Sequence, residues 1–312
     1  MDSSQVQFVR VEDLQQGQRL DNFLFKLLKG LPRSRVYRFI RRGEVRVNKK
    51  RCKPEYKLQR GDLVRVPPHQ AADLSQPPAP SQNLSRLLQE SIIKEDEALL
   101  VINKPAGLAV HGGSGIRLGL IEAVRQIKPD WQQAELAHRI DRDTSGCLVL
   151  CKNMKYLKGL QQQLKNKSVD KRYQALVFGH WPEQLIEVNA PLAKNTLQSG
   201  ERVVRVDQGG KASRTRYQVM SRFPACTLVE ARPETGRTHQ IRVHCQHSGH
   251  SIVGDSKYLA GAEGGSTELL GYKNLCLHAA YIGFENPLNG EQVQATAPIP
   301  EHLRSLLEKL GQ

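Results

Sequence analysis

One short segment of the chain concentrates side chains that could do chemistry. Residues 138–146 read His-Arg-Ile-Asp-Arg-Asp-Thr-Ser-Gly, and the wholly apolar run 147–151 follows them directly. Such a run is typical of a buried strand, so we expect the charged residues to form a loop at the edge of a core. Asp141 and Asp143 are carboxylates that this loop could offer as a base or a nucleophile. A solvated cluster of ion pairs explains these residues equally well on their own.

A second polar segment could supply a cation to that loop. Residues 235–244 read Thr-Gly-Arg-Thr-His-Gln-Ile-Arg-Val-His. Thr238 is a favourable N-cap, and the pattern predicts a helix that runs to about His247 and ends at Gly249. Arg242 would lie one turn into this helix. A lone arginine is more often a surface residue, but a guanidinium pairs bidentately with carboxylates and therefore suits a loop that carries aspartate.

The histidines in and after this helix do not have the spacing of a metal site. They are not accompanied by a matching set of cysteines or carboxylates, so we expect no metal. The histidines concerned are His239, His244, His247 and His250.

The positive charge of the chain is concentrated near its N-terminus. The net charge is +15, and residues 1–65 hold 17 Lys and Arg against 7 Asp and Glu. A solvated face would normally mix both signs, so this imbalance favours contact with RNA phosphates. Apolar spacing predicts a helix from about Leu20 and a second helix that Ser34 could cap, followed by a strand and a basic hairpin. The expected RNA-binding residues are Arg35, Arg38, Arg41, Arg42, Lys49, Lys50 and Arg51.

Composition divides the chain into three parts. Residues 67–90 are rich in proline, serine and glutamine, which favours an extended linker without a core. Residues 91–312 alternate strands with irregular segments and a few helices. This pattern predicts an α+β fold with a mainly antiparallel or mixed sheet and flanking helices. No apolar run is long enough to span a membrane, and we expect a cytoplasmic monomer.

The loop over residues 138–146 closely resembles the active-site signature of the RluA-type RNA pseudouridine synthases, His-Arg-Leu-Asp-x-x-Thr-Ser-Gly. Only Ile140 departs from it. The resemblance implies that Asp141 is the catalytic carboxylate, that Arg242 pairs with it and that Tyr173 packs against the target uracil. It also implies that Leu277 supplies an apolar wall to the base pocket.

Roles for the remaining site residues follow less directly. His138 and Arg139 would position the loop or grip the phosphates of the flipped-out nucleotide, and Arg237 would support the loop or the RNA. The segment Lys104-Pro105-x-Gly107 resembles a family motif that supports the active-site loop.

The implied reaction breaks the N1–C1′ bond of uridine, turns the base and joins it again through C5. No redox change or external atom is involved, so no cofactor is expected. Asp141 could act as a nucleophile at the sugar or the base, or as a base toward a ribose proton. The uridine must leave the stack to be reached.

The N-terminal part resembles an S4 RNA-binding domain. We therefore expect an S4-like domain over residues 1–66, the linker over 67–90 and the catalytic domain over 91–312. The resemblance covers nearly the whole chain and implies 23S ribosomal RNA as the partner. Other ribosomal or transfer RNA sites, a non-catalytic RNA-binding protein, and a hydrolase that pairs Asp141 with Asp143 are the alternatives.

Overall fold

The chain divides into two compact units, Met1–Pro77 and Pro78–Gln312. The computed structural model describes residues 5–28, 31, 33–69, 77–113, 116–196, 202–259 and 267–311. Part of the predicted linker, residues 70–76, lies outside this range, as do residues 114–115 of the glycine-rich segment. In the described part of the chain, no helix has the length and apolar character needed to cross a membrane.

The N-terminal unit packs two helices against a small antiparallel sheet. Leu20, Phe23 and Leu24 recur at helical spacing and are buried, together with Val36 and Ile40 of the second helix. The sheet has the order β1-β3-β2. Its elements are β1 (Gln7–Arg10), α1 (Leu20–Leu27), α2 (Arg33–Arg42), β2 (Arg46–Val47) and β3 (Leu63–Val66), with a 3-10 turn at Asp13–Gln15.

The second unit is built on one large sheet. In the described residues ten strands join it, in the order β4-β5-β7-β14-β8-β13-β12-β9, with β15 beside β14 and β6 beside β7. Its strands are β4 (Ile92–Glu95), β5 (Leu99–Lys104), β6 (Glu135–Leu136), β7 (Ser145–Cys151), β8 (Asp170–Phe178), β9 (Glu187–Asn189), β12 (Arg214–Phe223), β13 (Cys226–Pro233), β14 (Leu277–Glu285) and β15 (Gln292–Thr296). A separate hairpin consists of β10 (Leu192–Thr196) and β11 (Arg202–Val206).

The sheet is mixed, because β7 and β14 run parallel whereas the other pairs are antiparallel. Helices pack on both faces, which confirms the predicted α+β class. They are α3 (Gln82–Glu90), α4 (Leu120–Ile127), α5 (Met154–Asn166), α6 (Gln240–His247), α7 (Thr267–Leu270) and α8 (Glu301–Leu310), with a 3-10 turn at Pro129–Trp131.

Strand β7 is buried on both faces, which explains its uninterrupted apolar sequence. Cys147, Val149 and Cys151 point into the core that α5 covers. Leu148 and Leu150 point into the opposite core, beside α4. Because side chains alternate across a strand, only a strand with two covered faces is apolar at every position.

Helix α3 corrects the predicted linker. Residues 82–90 form a helix that Ser81 caps by accepting a hydrogen bond from the Leu84 backbone N–H. Leu88 is buried in the core that also contains Leu100 and α4. The expectation of an extended, coreless segment was therefore wrong for 82–90, because a few apolar residues at helical spacing suffice when an existing core receives them.

Candidate functional site

The C-terminal unit contains a pocket of about 540 Å³ beside the end of the loop over residues 138–146. The lining comes mainly from that loop, from β8, from the start of α6 with the segment before it, and from the first residue of β14, with smaller parts from β6, α5 and the end of β13. It includes the residues to which the family resemblance gave roles at the base or in the active-site loop, but not Asp143. These are His138, Arg139, Asp141, Tyr173, Arg237, Arg242 and Leu277.

Asp141 and Arg242 meet in this pocket although 101 positions separate them in the chain. The Nη1 group of Arg242 donates to Oδ2 of Asp141 over 3.4 Å, and the Asp141 side chain is 26% exposed. The same guanidinium is held more tightly by Asp255, because its Nε and Nη2 groups donate to the two carboxylate oxygens over 2.7 and 2.8 Å. One arginine thus bridges a partly exposed and a fully buried carboxylate.

Asp255 is the site residue that sequence reasoning missed. Its side chain is completely buried and also accepts hydrogen bonds from the backbone N–H groups of Lys257 and Tyr258. Burial alone would lower the pKa of Arg242, but Asp255 and Asp141 outweigh it and raise the pKa. Arg242 is therefore a permanent, rigidly held cation.

Tyr173 and Leu277 form an aromatic and apolar wall of the pocket. Strand β8 brings Tyr173 beside β14, whose first residue Leu277 pairs with Ala175. Burial raises the pKa of Tyr173, with a smaller contribution from Asp141, so the phenol stays protonated. A wall made of a flat ring and an aliphatic side chain is suited to a planar base.

His138 faces the backbone of β7. Its Nε2 accepts the Val149 N–H over 3.2 Å, and burial lowers the pKa of the imidazole to about 4. A neutral ring in this position anchors the start of the loop. Arg139 is exposed at the pocket, and the Nε group of Arg237 donates to the Ala212 carbonyl.

Lys104 links the loop over residues 138–146 to the turn over residues 104–108. Its buried Nζ donates to the carbonyl oxygens of Pro105, Leu108 and Arg142 over 2.7–2.8 Å. Burial lowers the pKa of Lys104 to about 7, whereas Asp143 and Asp141 act to raise it. Three acceptors match the three protons of an ammonium group, so this lysine ties the 104–108 turn to the active loop.

Replacement of Lys104 by methionine should destabilise the protein. The three carbonyl groups would lose their donor inside the core, at an expected cost of about 2–4 kcal/mol in the free energy of unfolding. Urea denaturation measures this loss. Lys158→Met removes an exposed lysine of α5 and should leave the midpoint nearly unchanged. Equal midpoints for the two variants would contradict a stabilising role for the three hydrogen bonds of Lys104.

The loop ends at the parallel junction of β7 and β14. Gly146 has φ of +110°, and a Cβ atom there would collide with the backbone of Ala279. Next to it, Ser145 Oγ lies 2.9 Å from Nδ1 of His278, whose Nε2 lies 3.2 Å from the Ala297 carbonyl. Because a carbonyl only accepts, Nε2 carries the proton and Nδ1 accepts from the serine.

Protonation of His278 should make stability depend on pH. Burial lowers the pKa of this fully buried ring to about 4, against 6.5 for an exposed histidine. As the pH falls from about 6.5 to 4, His278 becomes protonated in the unfolded chain but stays neutral in the folded chain. The free energy of unfolding therefore falls by about 3 kcal/mol. Urea titrations across this range measure the loss. His278→Asn should remove this contribution and leave that of His138, whose pKa burial also lowers to about 4. An identical pH slope in the variant would contradict this origin.

The remaining polar residues of this region have structural contacts. His244 Nδ1 lies 2.9 Å from the hydroxyl of Thr215, and its Nε2 lies 3.1 Å from the Ala190 carbonyl. In the described part of the chain, no three His, Cys, Asp or Glu side chains are grouped to hold a metal.

The predicted Thr238 cap was wrong. Helix α6 begins at Gln240, after His239, which has a left-handed conformation and no side-chain cap.

The basic residues of the N-terminal unit lie mostly at its surface. Arg35 is half-buried, with its guanidinium over the Phe39 ring. Asn48 and Lys49 adopt positive φ angles in a tight turn between Val47 and Lys50, which shortens the predicted strand to Arg46–Val47. The exposed members of the predicted RNA-binding set are Arg38, Arg41, Arg42, Lys49, Lys50 and Arg51.

Comparisons with known proteins agree with this arrangement. The model of the RNA pseudouridylate synthase family matches residues 98–247, and that of the S4 domain matches residues 18–64. Proteins called ribosomal large subunit pseudouridine synthase C are similar over nearly their whole length. The one from Haemophilus ducreyi is 48% identical over 99% of this chain and 97% of its own, and that from Escherichia coli is 48% identical over 98% and 97%.

A solved structure supports the same fold. Human RNA pseudouridylate synthase domain containing 4 superposes with a TM-score of 0.60 and 27% identity, over 73% of this chain and 96% of its own. An identity near one half along the full length leaves no room for a different fold or family. The chain therefore belongs to the RNA pseudouridylate synthases, enzymes that isomerise uridine in RNA, and carries an S4 domain ahead of its catalytic unit.

Proposed function

We propose that this protein isomerises uridines of the large-subunit (23S) ribosomal RNA and that Asp141 is the carboxylate that reacts. One observation carries the assignment of the residue. Asp141 is partly exposed to a cleft of about 540 Å³ and is paired there with a buried arginine. The names of the similar proteins support the large ribosomal subunit as the source of the substrate.

The geometry suits a uridine that has left its stack. A cleft of this size holds a small planar ligand. Tyr173 and Leu277 would face the base, and Asp141 would lie beside the glycosidic bond. Arg242 orients the carboxylate through a contact of 3.4 Å, which serves attack at C1′, attack at the base and removal of a ribose proton equally well.

A hydrolase that pairs Asp141 with Asp143 has less support. Asp143 forms an ion pair with its neighbour Arg142 over 3.0 Å and is absent from the described lining of the cleft, where Asp141 is the only acidic residue. Paired-carboxylate hydrolysis needs two acids that flank one bond. A single acid matches isomerisation, in which no water is consumed.

Release of tritium tests the proposal. 23S ribosomal RNA transcribed with uridine labelled at C5 loses that label as each uridine is joined through C5. Released label with intact ribose supports isomerisation, whereas free ribose ends would indicate hydrolysis. Labelled transfer RNA serves as the competing substrate. Faster release from transfer RNA than from 23S RNA would contradict the proposed substrate.

The S4 domain is proposed to supply affinity for the RNA backbone. Replacing Lys49 and Lys50 by glutamine removes two exposed charges of the basic turn. The slope of log Kd against log salt should fall by between about 1 and 2. Each phosphate contact that is lost lowers the number of counterions released when the protein binds RNA. Filter binding over a salt series measures the slope. The matched variant, with Lys155 and Lys158 of α5 changed to glutamine, should keep the wild-type slope, and equal slopes for both would contradict the proposal.

A further inference from the structure

His239 is the N-cap residue of α6 and has an unusual backbone conformation. Its φ of +53° is a left-handed conformation that residues other than glycine adopt rarely. Such conformations cluster at functional sites, where the surrounding structure enforces them. This one turns the imidazole into the cleft, where the side chain remains 19% exposed and Nε2 lies 3.9 Å from Oδ1 of Asp141.

Tyr258 determines which nitrogen of this ring carries the proton. The Tyr258 hydroxyl accepts the Val204 backbone N–H over 3.0 Å, and its oxygen lies 2.7 Å from Nδ1 of His239. With the Val204 N–H accepted, the hydroxyl is placed to donate its own proton to Nδ1. In the neutral ring the remaining proton is on Nε2 and faces the cleft. Burial, with help from Arg242 and Lys257 and against the effect of Asp141, lowers the pKa of His239 and favours this neutral form.

The reaction creates a need for such a donor. When the N1–C1′ bond breaks, its electron pair stays with the uracil, and the negative charge spreads to the carbonyl oxygens. If a carboxylate instead adds to the base, the charge also appears on a carbonyl oxygen. A fixed N–H that faces the base stabilises this charge on either route.

We propose that His239 donates a hydrogen bond from Nε2 to a carbonyl oxygen of the detached uracil and holds the base while it turns. The imidazole keeps its proton throughout. This role rests on the proposed function of the cleft. It assigns the Tyr258–His239 pair to the chemistry, beside Asp141 and Arg242.

Two substitutions of His239 separate donation from packing. In His239→Asn the side-chain oxygen can still accept from Tyr258, but nothing reaches the position of Nε2. In His239→Gln the longer amide places an N–H near that position. We expect the asparagine variant to lose about 10- to 100-fold in kcat with little change in KM, and the glutamine variant to recover most of the loss. His247→Asn, an exposed histidine of the same helix, is the matched control and should retain full turnover.

The outcomes are distinguishable from failure of the proposed function. Wild-type kcat in His239→Asn, or an equal loss in both variants, would overturn the donor role. Turnover that survives Asp141→Asn would instead overturn the function itself. Nitrogen-15 spectra of the wild-type protein add a test that does not depend on turnover, with His239 assigned by the signal missing in His239→Gln. A protonated Nε2 supports the proposal, and a protonated Nδ1 contradicts it.

Discussion

Replacement of Asp141 by asparagine is expected to abolish tritium release, with a loss on the order of 10⁴-fold or more in kcat. An amide has the shape of the carboxylate and can still accept a hydrogen bond from Arg242, but it is neither a nucleophile nor a base at neutral pH. The affinity for ribosomal RNA should stay within about twofold of the wild-type value, because phosphate contacts dominate it. Single-turnover assays together with filter binding measure both quantities.

The neighbouring Asp143→Asn variant provides the matched control. This residue has the same charge and lies on the same loop, but it pairs with the exposed Arg142. We expect its turnover to stay within about tenfold of the wild-type value, since only a surface ion pair is lost. A comparable collapse of activity in both variants would mean that the charge of the loop, and not Asp141 itself, drives the reaction.

Arg242→Met should have the second largest effect, on stability and on turnover together. Methionine fills much of the space of arginine but leaves the completely buried Asp255 carboxylate without a cation. Breaking one side of a buried ion pair costs about 3–5 kcal/mol, and we expect a loss of that size in the free energy of unfolding. Asp141 would lose its orientation as well, with kcat reduced by about 100-fold or more. Urea denaturation and tritium release measure the two effects.

A double variant separates these effects. Arg242→Met combined with Asp255→Asn removes both buried charges, so much of the stability should return while turnover stays low. Arg237→Met is the single-site control, because this exposed arginine of the same cleft has a backbone carbonyl as its partner. Its stability should change by less than about 1 kcal/mol. Recovery of turnover in the double variant would contradict a role for Arg242 beyond neutralising Asp255.

Local patterns predicted much of the fold. The wholly apolar run before residue 152 became β7, the helix predicted from about Leu20 is α1, and the helix predicted to end at about His247 is α6. These elements carry their information in their own spacing, since burial on two faces or along one stripe is visible in the sequence.

Contacts across the chain were harder to predict. The pairing of Arg242 with Asp141 was expected, but the contact of Arg242 with Asp255 was not. An isolated aspartate beside glycine is typical of a turn, and only the folded chain shows that Arg242 lies against it. The contact between Tyr258 and His239 is hidden for the same reason. Helix α3 was missed because a proline-rich neighbourhood outweighed its short apolar stripe.

The shared guanidinium has a consequence for the catalytic cycle. Whether Asp141 forms an ester or takes up a proton, it becomes neutral during turnover, and a cation held by that group alone would be left uncompensated in the interior. Asp255 prevents this, because it remains bound to two nitrogens of Arg242 while Asp141 holds the third at the longer distance of 3.4 Å. Asp141 can therefore bond to the sugar or the base while Arg242 stays in place. Each round of catalysis begins from the same arrangement of charged groups.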